Sequence, residues 1–249
     1  TNYIPKRVKK VIKSIVKPII FEFINNKVWF EYVNSLTKKP DPWLSKSKNL
    51  HKNERCFILA TGPSLNKINL SKLNGEICFG VNGTYMIEKL DLTYFVLVSD
   101  WYWKNHLDGI QNVRCVRRFI PSDIRELNSS VSTTWYRKSH PKYGNIFGRN
   151  FPVPAMFSYN PQNIIFSGGT VIFVCLQLAY YMGFKTVILL GVDHSYRKNE
   201  DDLAKRYGGY ELKVDEKDSE HFRSDYNPLN ISYHIDLNAM ERGYELAKV

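Results

Sequence analysis

Four short apolar runs, each handing over to a small polar or acidic residue, constrain this chain more than any other feature. Cys56-Phe57-Ile58-Leu59-Ala60 leads into Thr61-Gly62-Pro63-Ser64-Leu65, Ile77–Val81 into Asn82-Gly83, Tyr94–Val98 into Ser99-Asp100, and Thr186–Val192 into Asp193. Runs that are apolar throughout, not at every second residue, read as strands buried on both faces, the mark of a parallel sheet. Val113–Phe119 is a further strand candidate, and residues 121–165 lose clean periodicity. Val171–Met182 reads as a helix ahead of the last run, and Leu237–Lys248 as another. Strands alternating with helical stretches predict an α/β fold: a mostly parallel, Rossmann-like sheet with helices on both faces. Ligands of such sheets bind outside the carboxyl ends of the strands, where these polar residues collect.

With 43% hydrophobic and 24% charged residues among 249, the chain can bury a sizeable core, which excludes a disordered, collagenous or membrane-spanning protein. The net charge of +11 favours anionic partners: nucleotides, acidic glycans, nucleic acid or an anionic membrane. Glycine turns and polar strand ends fit a small-ligand cleft better than nucleic acid, for which no module is recognisable. Cys56, Cys78, Cys115 and Cys175 have no zinc-like spacing and read as reduced core thiols of a cytoplasmic protein.

Residues 1–45 are expected to form a basic amphipathic helical segment and linker, and residues 46–249 the main domain. Within 3–20, Val8, Val11, Ile12, Ile15, Val16 and Ile19 share a helical face amid lysines. Packing on the domain or on a partner chain and contact with the inner face of the cytoplasmic membrane are both open to such a helix. Homo-oligomer formation is a further expectation. The charged, tyrosine-rich stretch 195–230 exceeds an ordinary connection and reads as a lid or functional loop. A domain of this kind is expected to continue beyond Val249.

Gly62-Pro63-Ser64 is neither a Walker A loop nor a dinucleotide fingerprint. Directly after a strand, its backbone donors and the Ser64 hydroxyl suit a phosphate at a helix start. Ser167-Gly168-Gly169-Thr170 is a second glycine turn feeding a helix, with Ser167 or Thr170 as cap or ligand contact. Asn82 offers donor and acceptor to a base edge or sugar hydroxyl. Asp100 is either a helix cap or a cleft residue. Tyr196, Tyr207, Tyr210 and Tyr226, with Arg197, Arg206 and Arg223, could close over a phosphate or stack on a base. Acid–base candidates are Asp193, His194, His221, Asp225 and His234; His51, His106 and His140 read as surface or turn residues. No HExxH, DxD or Cys/His cluster occurs.

Together, ILATGPSLNKI at 58–68, VNGTY at 81–85, FSGGTVIFVCLQLAYYMGFKTVILLGVDHSY at 166–196, EHFRSDY at 220–226 and DLNAMERGYELAK at 236–248 resemble one superfamily. Its members are the bacterial sialyltransferases, flagellin glycosyltransferases that share a related domain of unknown function, and archaeal pterin pyrophosphokinase-like proteins. The sialyltransferase branch implies a CMP-activated acidic sugar as donor, a glycan or lipid-linked glycan acceptor, and inverting transfer with no metal or other cofactor. On that resemblance Gly62, Pro63, Ser64, Leu65 and Asn82 line the nucleotide site, Ser167, Gly168 and Gly169 lie beside the nucleotide, and His221 or Asp225 is the base. The HFRSDY stretch and the chain's last helix look closer to the flagellin-modifying branch, which implies surface-glycan synthesis. The pterin branch implies the alternative, diphosphate transfer from ATP to a small alcohol, with Mg²⁺ on Asp100 and Asp193. A non-catalytic glycan- or nucleotide-binding protein is the third reading.

Overall fold

The computed structural model describes residues 40–88, 90–124, 131–139, 144–146, 149–151, 156–196, 210–214, 220–227 and 232–248. The amphipathic segment 3–20, His140, Arg197, Arg206 and Tyr207 lie outside them. Helix α1 (Pro42–Lys46) is followed by strands β1 (Arg55–Leu59), β2 (Cys78–Val81) and β3 (Leu92–Val96), helices α2 (Asp100–Asn105) and α3 (Leu107–Gln111), and strands β4 (Cys115–Pro121) and β5 (Thr133–Tyr136). Short strands β6 (Lys138–Ser139), β7 (Gly144–Ile146), β8 (Arg149–Phe151) and β9 (Ile165–Phe166) lead to helix α4 (Val171–Met182) and strand β10 (Thr186–Leu190). Strands β11 (Tyr210–Lys213) and β12 (Ser232–Ile235) and helix α5 (Leu237–Leu246) complete the order.

The main sheet runs β10-β1-β2-β3-β4-β5, and every pairing in it is parallel. From β1 the chain steps outward to β5, then returns past β1 to lay β10 on its other side. The order therefore reverses between β1 and β10, with Arg55 opposite Thr186 and Leu59 opposite Leu190. An open parallel sheet binds its ligand at such a reversal.

Side chains alternate across the sheet. On one face Cys56, Ile58, Phe79, Val81, Tyr94 and Val96 pack with α4 and with Leu44 of α1. On the other, Leu59, Cys78, Phe95, Leu97 and Ile120 pack with Leu65, Leu73, Tyr102, Trp103 and Ile110. The sheet is thus flanked on both sides, as the apolar runs predict. The second side is thinner, for Pro63–Lys67 and Leu70–Leu73 close as single 3-10 turns where the sequence suggests a helix after Gly62. Strand β10 is also less buried than its apolar run suggests, with Leu189 40% exposed, because it stands at the end of the sheet.

Helix α4 is apolar nearly all round because it is covered nearly all round. Its one polar side chain within the core, Gln177, meets four backbone groups. Its Oε1 accepts from the N–H groups of Ser158 (3.0 Å) and Phe166 (3.1 Å), and its Nε2 donates to the carbonyls of Phe166 (2.7 Å) and Phe173 (2.9 Å). One glutamine thereby joins β9 and the 156–158 segment to the helix that faces the sheet.

Arg118, 1% exposed on β4, acts similarly by donating to the Ile110 carbonyl (3.0 Å) at the end of α3 and to Thr133 Oγ1 (3.1 Å) on β5. Burial lowers the pKa of its guanidinium. Burial also pushes the thiols of Cys56 and Cys115 up to about 12 and that of Cys78 to about 11, so they are poor nucleophiles at neutral pH. Among the described residues no helix is long and apolar enough to cross a membrane. Gln177→Leu keeps the volume but takes the side-chain partner from two buried N–H groups and the Phe166 carbonyl, so urea denaturation is expected to show a loss of about 3 kcal/mol with the slope unchanged.

Candidate functional site

The reversal between β1 and β10 brings two loops together. Gly62 ends the first, and Gly191-Val192-Asp193 forms the second. The Asp193 carboxylate spans the gap, with Oδ2 accepting from the Ser64 N–H at 2.7 Å and Oδ1 from the Ser64 hydroxyl. Gly62 has an ordinary φ of −70°, so its lack of a side chain answers to space: a Cβ would lie 2.6 Å from the Gly191 carbonyl oxygen and 2.7 Å from the Asp193 carboxylate. The Ser64 donors that the sequence offers to a phosphate are thus held by Asp193. Pro63 opens the 3-10 turn beneath them.

These loops line a pocket shared with Asn82, Thr170 and Ile172 at the start of α4, His194, Tyr196, Glu220 and His221. Asn82 (φ 47°) and His194 (φ 52°) are both left-handed non-glycine residues, a strain that concentrates at functional sites. His194 Nε2 lies 3.5 Å from Glu241 Oε1, and its ring packs edge-on against Tyr244. The space among the pocket residues is about 70 Å³, against roughly 300–1,000 Å³ for ordinary ligand pockets.

Ser167 and Gly168 are buried and Gly169 is exposed, and the pocket lining includes none of the three. Gly168 (φ 52°) and Gly169 (φ 77°) take left-handed backbone, and side chains there would strike the Phe173 ring at 2.1 Å and Ala239 of α5 at 2.8 Å. The turn seats α5 on α4. Thr170 caps α4 by accepting from the Ile172 N–H at 3.3 Å. At Ser99-Asp100 the cap is Ser99, whose Oγ accepts from the Tyr102 N–H (3.2 Å), while Asp100 is exposed and pairs with Lys104 at 3.7 Å.

The 220–227 segment separates the two acid–base candidates. His221 lines the pocket. Asp225 is exposed and accepts two hydrogen bonds from Arg223, at 2.8 and 2.7 Å, which hold its carboxyl below the usual range. Tyr226 is 2% exposed and turns inward. The backbone of the segment is fixed over the end of β1, where Phe222 N–H donates to the Thr61 carbonyl (2.8 Å) and Asn66 Nδ2 to the Phe222 carbonyl (2.7 Å). His234 and Tyr210 fall on the paired strands β12 and β11.

Two residues that the sequence leaves aside become prominent. Lys138, with a side chain 4% exposed, donates to the Val98 carbonyl (2.8 Å) at the end of β3 and pairs with Asp123. His106 is 8% exposed, not a surface residue: its ring stacks on Tyr102 (4.0 Å between centroids, 9° between planes), and its Nδ1 lies 3.1 Å from the Tyr85 hydroxyl. His51, read from sequence as a surface or turn residue, lies in the turn after α1 and stacks on Phe184 at 4.6 Å.

Residues 106–199 match the MptE-like family model, described as 6-hydroxymethylpterin diphosphokinase MptE-like. An MptE-like domain is thus found, and of the branches that the motifs resemble it is the pterin-pyrophosphokinase one. No curated protein matches the chain. The match overturns the expectation of a sialyltransferase-like enzyme in surface-glycan synthesis, with its CMP-activated acidic sugar donor, glycan or lipid-linked acceptor and metal-free transfer. Part of what carries the resemblance is packing: Gly62 leaves room for Asp193, Gly168 for Phe173 of α4 and Gly169 for Ala239 of α5. Such turns specify a Rossmann-like fold and carry no record of the group transferred.

The MptE-like description implies Mg²⁺, and the pocket residues fit it. Asp193 and Glu220 are hard oxygen donors lining one pocket, and Mg²⁺ in phosphoryl-transfer sites takes one or two carboxylates and completes its shell with phosphate and water. Among the described residues no group of three His, Cys, Asp or Glu stands ready to hold a metal. Asp100 lies apart from the residues that line the pocket.

Burial lowers the His106 pKa from 6.5. Above pH 6.5 folded and unfolded chains both hold this imidazole neutral, so its contribution to stability is complete. As pH falls through 6.5 towards the depressed native value, only the unfolded chain takes up the proton and that stability is lost. Denaturation from pH 7.5 to 5 is expected to show stability declining below about pH 6.5, with a shallower decline in His106→Gln.

Proposed function

We propose that this chain transfers a diphosphoryl group from ATP to the hydroxyl of a small alcohol, with a hydroxymethylpterin-type heteroaromatic as the first acceptor class to test. The observation that carries the reading is the pocket at the strand-order reversal, where the start of α4, two carboxylates and two histidines converge within a chain of which residues 106–199 match an MptE-like model. The amino end of α4 directs the positive end of its dipole at this space, which suits phosphate oxygens.

In this reaction the acceptor oxygen attacks the β-phosphorus, a new O–P bond forms, and the bond from that phosphorus to the bridging oxygen breaks, so AMP leaves. His221 takes the hydroxyl proton; an imidazole suits proton transfer near neutral pH. Asp225, fixed to Arg223 at the surface, is the weaker candidate. Asp193 and Glu220 would hold Mg²⁺, which supplies neutralisation and alignment of the phosphates when bound. Thr170, Asn82 and Tyr196, which also line the pocket, contact the nucleotide or acceptor. The strained backbone at Asn82 and His194 sets the pocket wall in place before substrate arrives. The reading carries a cytoplasmic setting, where ATP is available.

The test is incubation with ATP, Mg²⁺ and 6-hydroxymethylpterin, followed by chromatography and phosphorus NMR. One AMP per diphosphate ester is expected. Release of ADP with a monophosphate ester would replace diphosphoryl by simple phosphoryl transfer, and unconsumed ATP across a panel of small alcohols would sink the reading. His221→Ala is expected to lower kcat by roughly 10²–10⁴-fold with ATP affinity within about twofold.

A further inference from the structure

We infer that Tyr226 is a positioning residue for His221, acting through a ring stack that fixes the plane of the imidazole. The role of His221 as base rests on the diphosphate-transfer reading above; the stack does not. The two rings lie 3.8 Å apart between centroids and only 6° from parallel. The tyrosine is held from its far side. Its hydroxyl accepts a hydrogen bond from the Gly83 N–H at 3.3 Å, and a Cβ on Gly83 would lie 2.1 Å from its ring. Gly83 is therefore the platform that lets this ring lie against backbone next to Asn82, a pocket residue.

Tyr226 also leans on the second histidine–tyrosine stack in the fold. Its ring lies 5.9 Å from that of Tyr102, which is itself stacked on His106. His106 in turn approaches the Tyr85 hydroxyl. His221 thus has two independent restraints: its neighbour Phe222 is tied by backbone to Thr61, and its ring rests on a buried phenol ring. A stacked imidazole can slide within its plane but cannot tip, so its edge nitrogens stay in one orientation. Holding a base to that orientation is the kind of alignment in which small displacements cost large factors in rate. The inward turn of Tyr226 thereby gives it a role different from the ligand contact that the sequence suggests.

The stack needs the ring and not the hydroxyl, which separates it from a general structural role. Tyr226→Phe is expected to retain kcat within about threefold, whereas Tyr226→Leu is expected to lower it roughly 10–100-fold with ATP affinity nearly unchanged. Independently of activity, the His221 carbon-bound ring protons are expected to resonate upfield of the free-histidine position in wild type and in Tyr226→Phe. In Tyr226→Leu they are expected to return towards it. An unshifted His221 resonance in the wild-type protein overturns the proposal, as does a Phe variant that loses as much turnover as the Leu variant. Should Tyr226→Leu fail to fold, the wild-type and Phe resonances decide. A shifted resonance in a protein without turnover upholds the stack and counts against the reaction instead.

Discussion

The candidate site depends on one carboxylate that crosses the seam of the sheet. Asp193 follows the last parallel strand and Ser64 follows the first, and two hydrogen bonds tie them where the strand order reverses. A carboxylate accepting from a backbone N–H and a hydroxyl is a strong, directional link. It sets the spacing of the two loops that line the pocket, and it requires that Gly62 remain without a side chain. The rest of the site is arranged around that link: α4 begins beside it, and the 220–227 segment is pinned to Thr61 just before it. The acid also leaves a negative group at the mouth of a pocket read as taking phosphates, which gives a divalent cation physical work there.

Much of this layout is legible in the chain itself. Continuous apolar runs cannot alternate between core and solvent, so the parallel sheet and its loaded carboxyl ends follow from residues 56–60, 77–81, 94–98 and 186–192. Strand β5 and the short pairs β6 with β9 and β7 with β8 are not legible, because Thr133–Tyr136 and the two- and three-residue strands are too short to show a period. The pairing of Ser64 with Asp193 is hidden for a different reason. Both ends of a hydrogen bond across 129 residues look locally like free ligand contacts.

Side-chain direction is where sequence reasoning about the site fails most. Asp225, Arg223 and Tyr226 sit within four residues, yet the first two pair in solvent while the third enters the core. No periodicity marks such a turn. His106 is missed because its partners, Tyr85 and Tyr102, come from a neighbouring turn and the preceding helix. The donor chemistry is illegible for a further reason: the glycines that carry the resemblance serve packing, and packing is shared by enzymes that move different groups.

The return of the chain to the far side of β1 has a bearing on how the protein is made. Strands β1 to β5 can pair in sequence as they emerge from the ribosome, since each finds its neighbour already present. Strand β10 cannot join until residue 186 has appeared, and it then docks on a strand that left the tunnel about 130 residues earlier. Contacts of such separation are slow to form. Until then one edge of β1 is open and Ser64 lacks its acceptor, so the nascent protein holds most of its sheet and only part of its pocket. Asp193, Glu220 and His221 reach the pocket only after β10, so its completion is among the last events of folding.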